Sequence, residues 1–201
     1  MIFSKRPANW RILSSIAMLM LTLLLVGCGT DSTTGTTATP TPKPPTPTPT
    51  PNVVPQTFTG KDFTVKYPTD WKTSGDNPVI ITDSVGIYNM TITSIANANG
   101  DATVDKVLDG GISGAKGTMK TPDTVNMPAT TTVGGQTWSQ RAISDTSSAD
   151  GVELVALAIN YPDKSPNTKS YLIIYATTKA LFDQASTKYF MPMLQSFKFN
   201  P

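Results

Sequence analysis

The sequence predicts an α+β domain in which an antiparallel sheet of about six or seven strands carries a middle helix and a C-terminal helix. Three observations lead there. Phe63–Tyr67 alternates apolar and polar residues, the period of a half-buried strand. Val152–Tyr161 and Tyr171–Ala176 are apolar at almost every position, as in strands covered on both faces. After Lys179, the residues Leu181, Phe182, Ala185, Tyr189 and Phe190 recur at helical spacing.

Each element has a local reason. Thr57–Thr59 offers a short partner arm for Phe63–Tyr67, which Pro68-Thr69-Asp70 ends just before Trp71. Pro78–Thr82 gives a second strand. Ile87–Ile95 gives a third, with Tyr88, Met90 and Ile92 on one face. Asn97–Gly100 turns the chain, and Asp101 is placed to cap a helix from Ala102 through Val104, Leu108, Ile112 and Ala115. Gly110-Gly111 should leave that helix short or interrupted, because each glycine costs about 1 kcal/mol relative to alanine. Val125–Val133 reads as one extended entry to the Gly134-Gly135 hairpin, whose positions tolerate positive φ. The return strand, Gln136–Ser144, sets Trp138, Gln140 and Ala142 on one face. Val152–Tyr161 and Tyr171–Ala176 then pair antiparallel across Pro162–Ser170. Thr177 or Thr178 caps the last helix, Pro192 kinks or restarts it, and Phe197-Lys198-Phe199 closes as a strand.

The chain divides into three parts: a signal segment over 1–27, a linker over 28–56 and a folded domain over 57–201. Lys5, Arg6 and Arg11 precede an apolar run from Ile12 to Gly27, too short for a helical membrane span and arranged as an export signal. Leu25-Val26-Gly27-Cys28 ends it. That box resembles the bacterial lipoprotein signal family. The resemblance implies diacylglyceryl transfer to Cys28, cleavage before it and acylation of the freed amine, so that membrane lipid holds the mature chain outside the cytoplasm. The linker opens with Gly, Ser and Thr and continues as Thr-Pro repeats, which favour extended polyproline II.

Composition narrows the chemistry. The domain holds 12 basic and 13 acidic residues, so the whole-chain charge of +2 arises elsewhere and no basic face invites nucleic acid. Histidine is absent, which excludes Ser-His-Asp triads, Cys-His pairs and histidine–metal sites. Cys28 is the only cysteine, so no intrachain disulfide supports the fold.

Phe63, Val65, Tyr67, Pro68 and Trp71 form a Phe-x-Val-x-Tyr-Pro-x-x-Trp pattern, followed later by Gly135-Gln136 and by Leu194-Gln195-Ser196-Phe197-Lys198-Phe199. In these features the domain resembles the PsbP/Mog1-like superfamily. The resemblance implies an α/β/α sandwich around a central antiparallel sheet. Among its members, plant proteins assist the oxygen-evolving side of photosystem II and a fungal nuclear protein binds a small GTPase.

Candidate sites are few. Asn97, Asn99, Asp101 and Asp105 supply oxygen ligands at loop spacing, but the acidic residue that closes a calcium loop is missing. Asp145, Asp150 and Glu153 could divide acid and base duties. Ser113 has no histidine to activate it, and Gly110–Gly117 lacks the Gly-Lys-Ser/Thr ending of a phosphate loop. Trp71, Trp138, Tyr161 and Tyr189 are the candidates for an aromatic binding groove. The expectation is a non-catalytic, lipid-anchored extracytoplasmic binding or accessory module for an envelope protein complex, without cofactor or metal. The alternatives are a hydrolase or small-ligand receptor using a carboxylate or aromatic groove, and a structural envelope protein.

Overall fold

A computed structural model describes residues 55–148 and 150–200. The signal segment, Cys28 and nearly all of the linker lie outside the described residues. The fold is mixed α+β and mostly antiparallel sheet. The described residues form eleven strands: β1 Gln56–Thr59, β2 Phe63–Tyr67, β3 Lys72–Ser74, β4 Val79–Thr82, β5 Asn89–Ala96, β6 Pro122–Val125, β7 Thr130–Val133, β8 Gln136–Asp145, β9 Val152–Tyr161, β10 Lys169–Thr178 and β11 Lys198–Phe199. Helix α1 spans Val104–Lys116. Near the C-terminus a 3-10 turn (Lys179–Leu181), α2 (Phe182–Ala185), a π turn (Ser186–Phe190) and α3 (Met191–Ser196) follow one another.

Eight strands form one sheet in the order β3-β4-β5-β10-β9-β8-β6, with β7 also on β8. A separate sheet has the order β1-β2-β11. The expected six or seven central strands become eight because the short edge strands β3 and β6 carry too little alternation to announce themselves. The second sheet was not anticipated. Phe199 pairs with Phe63 in it, so the closing strand joins the domain's first hairpin and leaves the main sheet alone.

The two long apolar strands lie at the centre and are covered twice. Leu154, Ala156 and Ala158 of β9 pack with Leu108 and Ile112 of α1. Val155 and Leu157 face the other way, into a core with Ile173, Tyr175, Phe190 and Phe197. Full burial of each such aliphatic side chain contributes roughly 1.5–3 kcal/mol, so this pair of strands carries a large share of the stability.

Helix α1 starts later than Asp101 would allow. Asn97 donates to Ala102 O (2.8 Å) and accepts from Ala102 N (3.0 Å), which holds that stretch as a loop. Thr103 becomes the cap, its side chain accepting from Lys106 N. The helix also runs unbroken through Gly110-Gly111. A Cβ on Gly111 would sit 3.2 Å from Leu172 Cδ2, so the glycine permits close approach of α1 to β10. Arg141 of β8 ties the helix to the sheet by bonding both Asp105 and Asp109.

The expected single strand over Val125–Val133 is two, β6 and β7, interrupted around Pro128, whose carbonyl accepts from Gln140 Nε2 (2.8 Å). Thr178 stands at the cap position at the end of β10 but makes no side-chain cap bond, and the buried Thr177 hydroxyl has no partner among the described residues. Pro192 interrupts the last helix as expected. Met191 N bonds back to Ser186 O in the π turn, and the α-helix restarts beyond it.

Gly134 and Gly135 have φ of 57° and 75°. A Cβ on Gly134 would lie 2.9 Å from Phe197 O, whereas one on Gly135 meets nothing. Gly135→Ala should therefore lose about 1 kcal/mol from φ strain alone, and Gly134→Ala about 2–3 kcal/mol. Urea denaturation checks this; equal losses would contradict the close contact.

Candidate functional site

A concave feature among the described residues lies at one end of the main sheet, beside the small sheet. The β1–β2 turn, the end of β5, the β9–β10 connection and the end of β11 enclose a cleft of about 700 Å³. Its rim is built by backbone locks. Gly60 N donates to Phe63 O (3.0 Å) to close the turn, and Asn200 Nδ2 reaches Gly60 O at 2.7 Å. Asn97 N donates to Thr168 O (2.9 Å), joining the β9–β10 connection to the end of β5. Thr168 Oγ1 accepts from Ser165 N (2.8 Å) within that connection.

One ion pair spans the cleft. Asp62, from the turn of the small sheet, is bound by the Lys169 ammonium at the start of β10. Ser94 Oγ donates to the other carboxylate oxygen at 2.6 Å. Ser94 is fixed in turn by Asn77, which accepts from its N–H (2.9 Å) and donates to its carbonyl (2.6 Å). Burial pushes the Asp62 carboxyl up, but the bonds from Lys169 and Ser94 outweigh it and hold the group below the usual carboxylate value.

Aromatic rings line one wall. Tyr161 stacks on Phe199 with centroids 4.0 Å apart, and Tyr171 meets Phe199 edge-on at 4.9 Å. The Tyr171 hydroxyl is pushed up to about 12, first by burial and then by the Asp62 charge and Tyr161.

The four aromatic candidates separate. Tyr161 lines the cleft. Trp138 lies behind it, 0% exposed, with Nε1 donating to Val133 O (3.1 Å) and its ring parallel to Phe199. Trp71 and Tyr189 belong to a different cluster, 5.3 Å apart, with Tyr88 stacked on Trp71 at 5.8 Å. Trp71 is 4% exposed, and Lys188 sits 4.9 Å above the Tyr189 ring.

Several of the polar candidates are engaged in structure. Asp145 accepts from Ser147 N (2.9 Å), Lys120 N (3.0 Å) and Thr121 N (3.1 Å), which holds its carboxyl far below the usual range. Glu153 pairs across the sheet with Ser144 and Thr177; burial raises its carboxyl, Asp183 adds to this and Lys179 opposes it. Asp105 is bound to Arg141 and Asn97 to Ala102. Ser113 and the Gly110–Gly117 stretch lie within or at the end of α1. Among the described residues, no group of three or more His, Cys, Asp or Glu side chains is arranged to hold a metal ion.

Sequence reasoning missed Asp62, Lys169 and Phe199 as site residues and placed Tyr171 in the core. The ion-pair partners stand 107 positions apart, and no local pattern joins them.

No family model matches this chain, and no curated protein matches it. Solved structures that resemble it include LpqN, involved in cell envelope biogenesis of Mycobacterium tuberculosis, at 14% identity and a TM-score of 0.49. That alignment covers 75% of this chain and 92% of LpqN. A protein from Bacteroides thetaiotaomicron VPI-5482 aligns at 12% identity and a TM-score of 0.43 over 69% of this chain and 45% of that one.

Lys169→Met leaves the Asp62 charge partly buried with only Ser94, and should cost about 1–3 kcal/mol at neutral pH. The pair's contribution is present above the usual Asp value of 3.8 and is lost as pH falls through the lower folded-state value. The difference in urea midpoint between wild type and Asp62→Asn should thus be larger at pH 7 than at pH 2.5. A difference independent of pH would contradict the pairing.

Proposed function

We propose that this chain is a non-catalytic binding module, held on the extracytoplasmic side of a bacterial membrane by acylated Cys28, with the cleft as its recognition site. The observation that carries this reading is a cleft of about 700 Å³ whose one lining carboxylate, Asp62, is already paired with Lys169. Its volume falls in the range of small-ligand pockets, roughly 300–1,000 Å³. A carboxylate held ionised by an ammonium and a hydroxyl is a weak base, poorly matched to proton transfer near neutrality. Such a site is better suited to binding than to turnover.

The anchor rests on the Leu25-Val26-Gly27-Cys28 box and its basic, apolar approach. Two or more acyl chains give stable attachment, at about 0.8 kcal/mol per buried CH₂. Among the described residues no helix is long and apolar enough to cross a membrane. For the fold we favour a PsbP/Mog1-like sandwich. The support is that Phe63, Val65, Tyr67, Trp71 and Phe197, five of the residues of the resemblance, are buried in one core.

A second reading, docking to an envelope protein complex, draws on a different place. The β4–β5 connection exposes Val85 (72%) and Ile87 (43%) beside the half-buried Tyr88. The hydrolase alternative finds less support, since Asp145 already accepts three backbone N–H bonds.

Metabolic labelling with a clickable fatty acid should mark the wild-type chain, and Cys28→Ser should abolish the label and move the chain out of the membrane fraction. A label that survives the substitution would overturn the anchor.

A further inference from the structure

We infer that the cleft takes a neutral saccharide, a deepening that rests on the cleft being the recognition site. The starting point is the Tyr171 hydroxyl. Its side chain is 4% exposed, it lines the cleft, and its hydroxyl has no hydrogen-bond partner among the described residues. The ring is buried while the hydroxyl is open to the cleft, so the oxygen can both donate to and accept from a ligand's polar atom.

The neighbouring groups define that atom. Asp62 has used one lone pair on Lys169 and one on Ser94, and retains acceptor capacity on both oxygens. The Lys169 ammonium has three donors and gives one to Asp62. Tyr171 both donates and accepts. A ligand here therefore meets acceptors and donors side by side. An anion placed against Tyr171 would be repelled by Asp62 while drawn to Lys169 and Lys61, and a cation would meet the reverse, so neither charge suits every neighbour. A hydroxyl, which donates to one neighbour and accepts from the next, satisfies all of them without net charge.

The wall fixes the other half of the ligand. The Tyr161–Phe199 stack presents a flat apolar surface at the cleft. A pyranose ring carries hydroxyls around its edge and C–H bonds on its face. Its face suits the aromatic wall while its edge reaches Tyr171, Asp62 and Lys169. Few small molecules combine a flat apolar face with an uncharged ring of hydroxyls in this way.

The test uses the full chain, purified in a non-glycosidic detergent and applied to an array of neutral and acidic oligosaccharides, with isothermal titration of any member that binds. Neutral members should bind. Tyr171→Phe should weaken that binding about 5-fold, the equivalent of one hydrogen bond, without moving the urea midpoint, and Tyr161→Ala should weaken it by at least as much. Binding confined to acidic members, and still weakened by Tyr161→Ala, would overturn the neutral sugar while leaving the cleft as a recognition site. Binding unaffected by either substitution, or none to any member, would overturn the saccharide assignment. In that case titration of spermidine and of inorganic phosphate into the full chain, run beside the array, separates the two failures. Cleft-dependent binding of either retains the recognition site, and binding of neither removes it.

Discussion

The fold depends on the burial of β9 and β10 from both sides. Their side chains alternate between the α1 core and the core beneath the small sheet and C-terminal helices, so neither layer could be removed without exposing half of these strands to water. The rest of the architecture follows from that demand. Gly111 lets α1 approach β10 closely, and Arg141 anchors the helix to β8 through Asp105 and Asp109. On the opposite face Phe197 stacks with Phe63 and meets Trp138 edge-on, joining the small sheet to the large one.

The cleft is a consequence of how the second layer ends. The small sheet and the β9–β10 connection extend past the packed core, and the gap between them is bridged by Asp62 and Lys169 rather than filled by apolar side chains. A paired charge of this kind needs supporting hydrogen bonds to offset desolvation, and Ser94 with Asn77 supplies them. The arrangement leaves a polar floor beside an aromatic wall. That combination is chemically suited to selecting among ligands by their hydroxyls and flat faces.

Much of the frame was legible in the sequence, because its causes are local. The loss of alternation in Val152–Tyr161 revealed a strand covered twice. Gly134-Gly135 marked its hairpin, and Pro192 marked the break in the last helix. The errors arose where distant contacts decide. Asp101 looked like the helix cap, but Asn97 holds Ala102 in the loop and passes the role to Thr103. Gly110-Gly111 looked like a helix breaker, and the proximity of Leu172 gives Gly111 a purpose. The candidate site was scarcely legible. Tyr161 was among the aromatic candidates, yet Trp138 is sealed behind the wall and Trp71 with Tyr189 lies elsewhere. Asp62 and Lys169 meet only through the tertiary fold. Tyr171 sits in an apolar run that rightly predicts burial and conceals its place in the cleft's lining.

Native-state hydrogen exchange tests most directly the claim that a doubly covered strand pair supports a cleft assembled on its end. Amides of Val155–Ala158 and Leu172–Tyr175 should exchange only through global unfolding, while those of β1, β11 and the 162–168 connection open at lower free energy. Central-strand amides that exchange as fast as the cleft's rim would contradict the account.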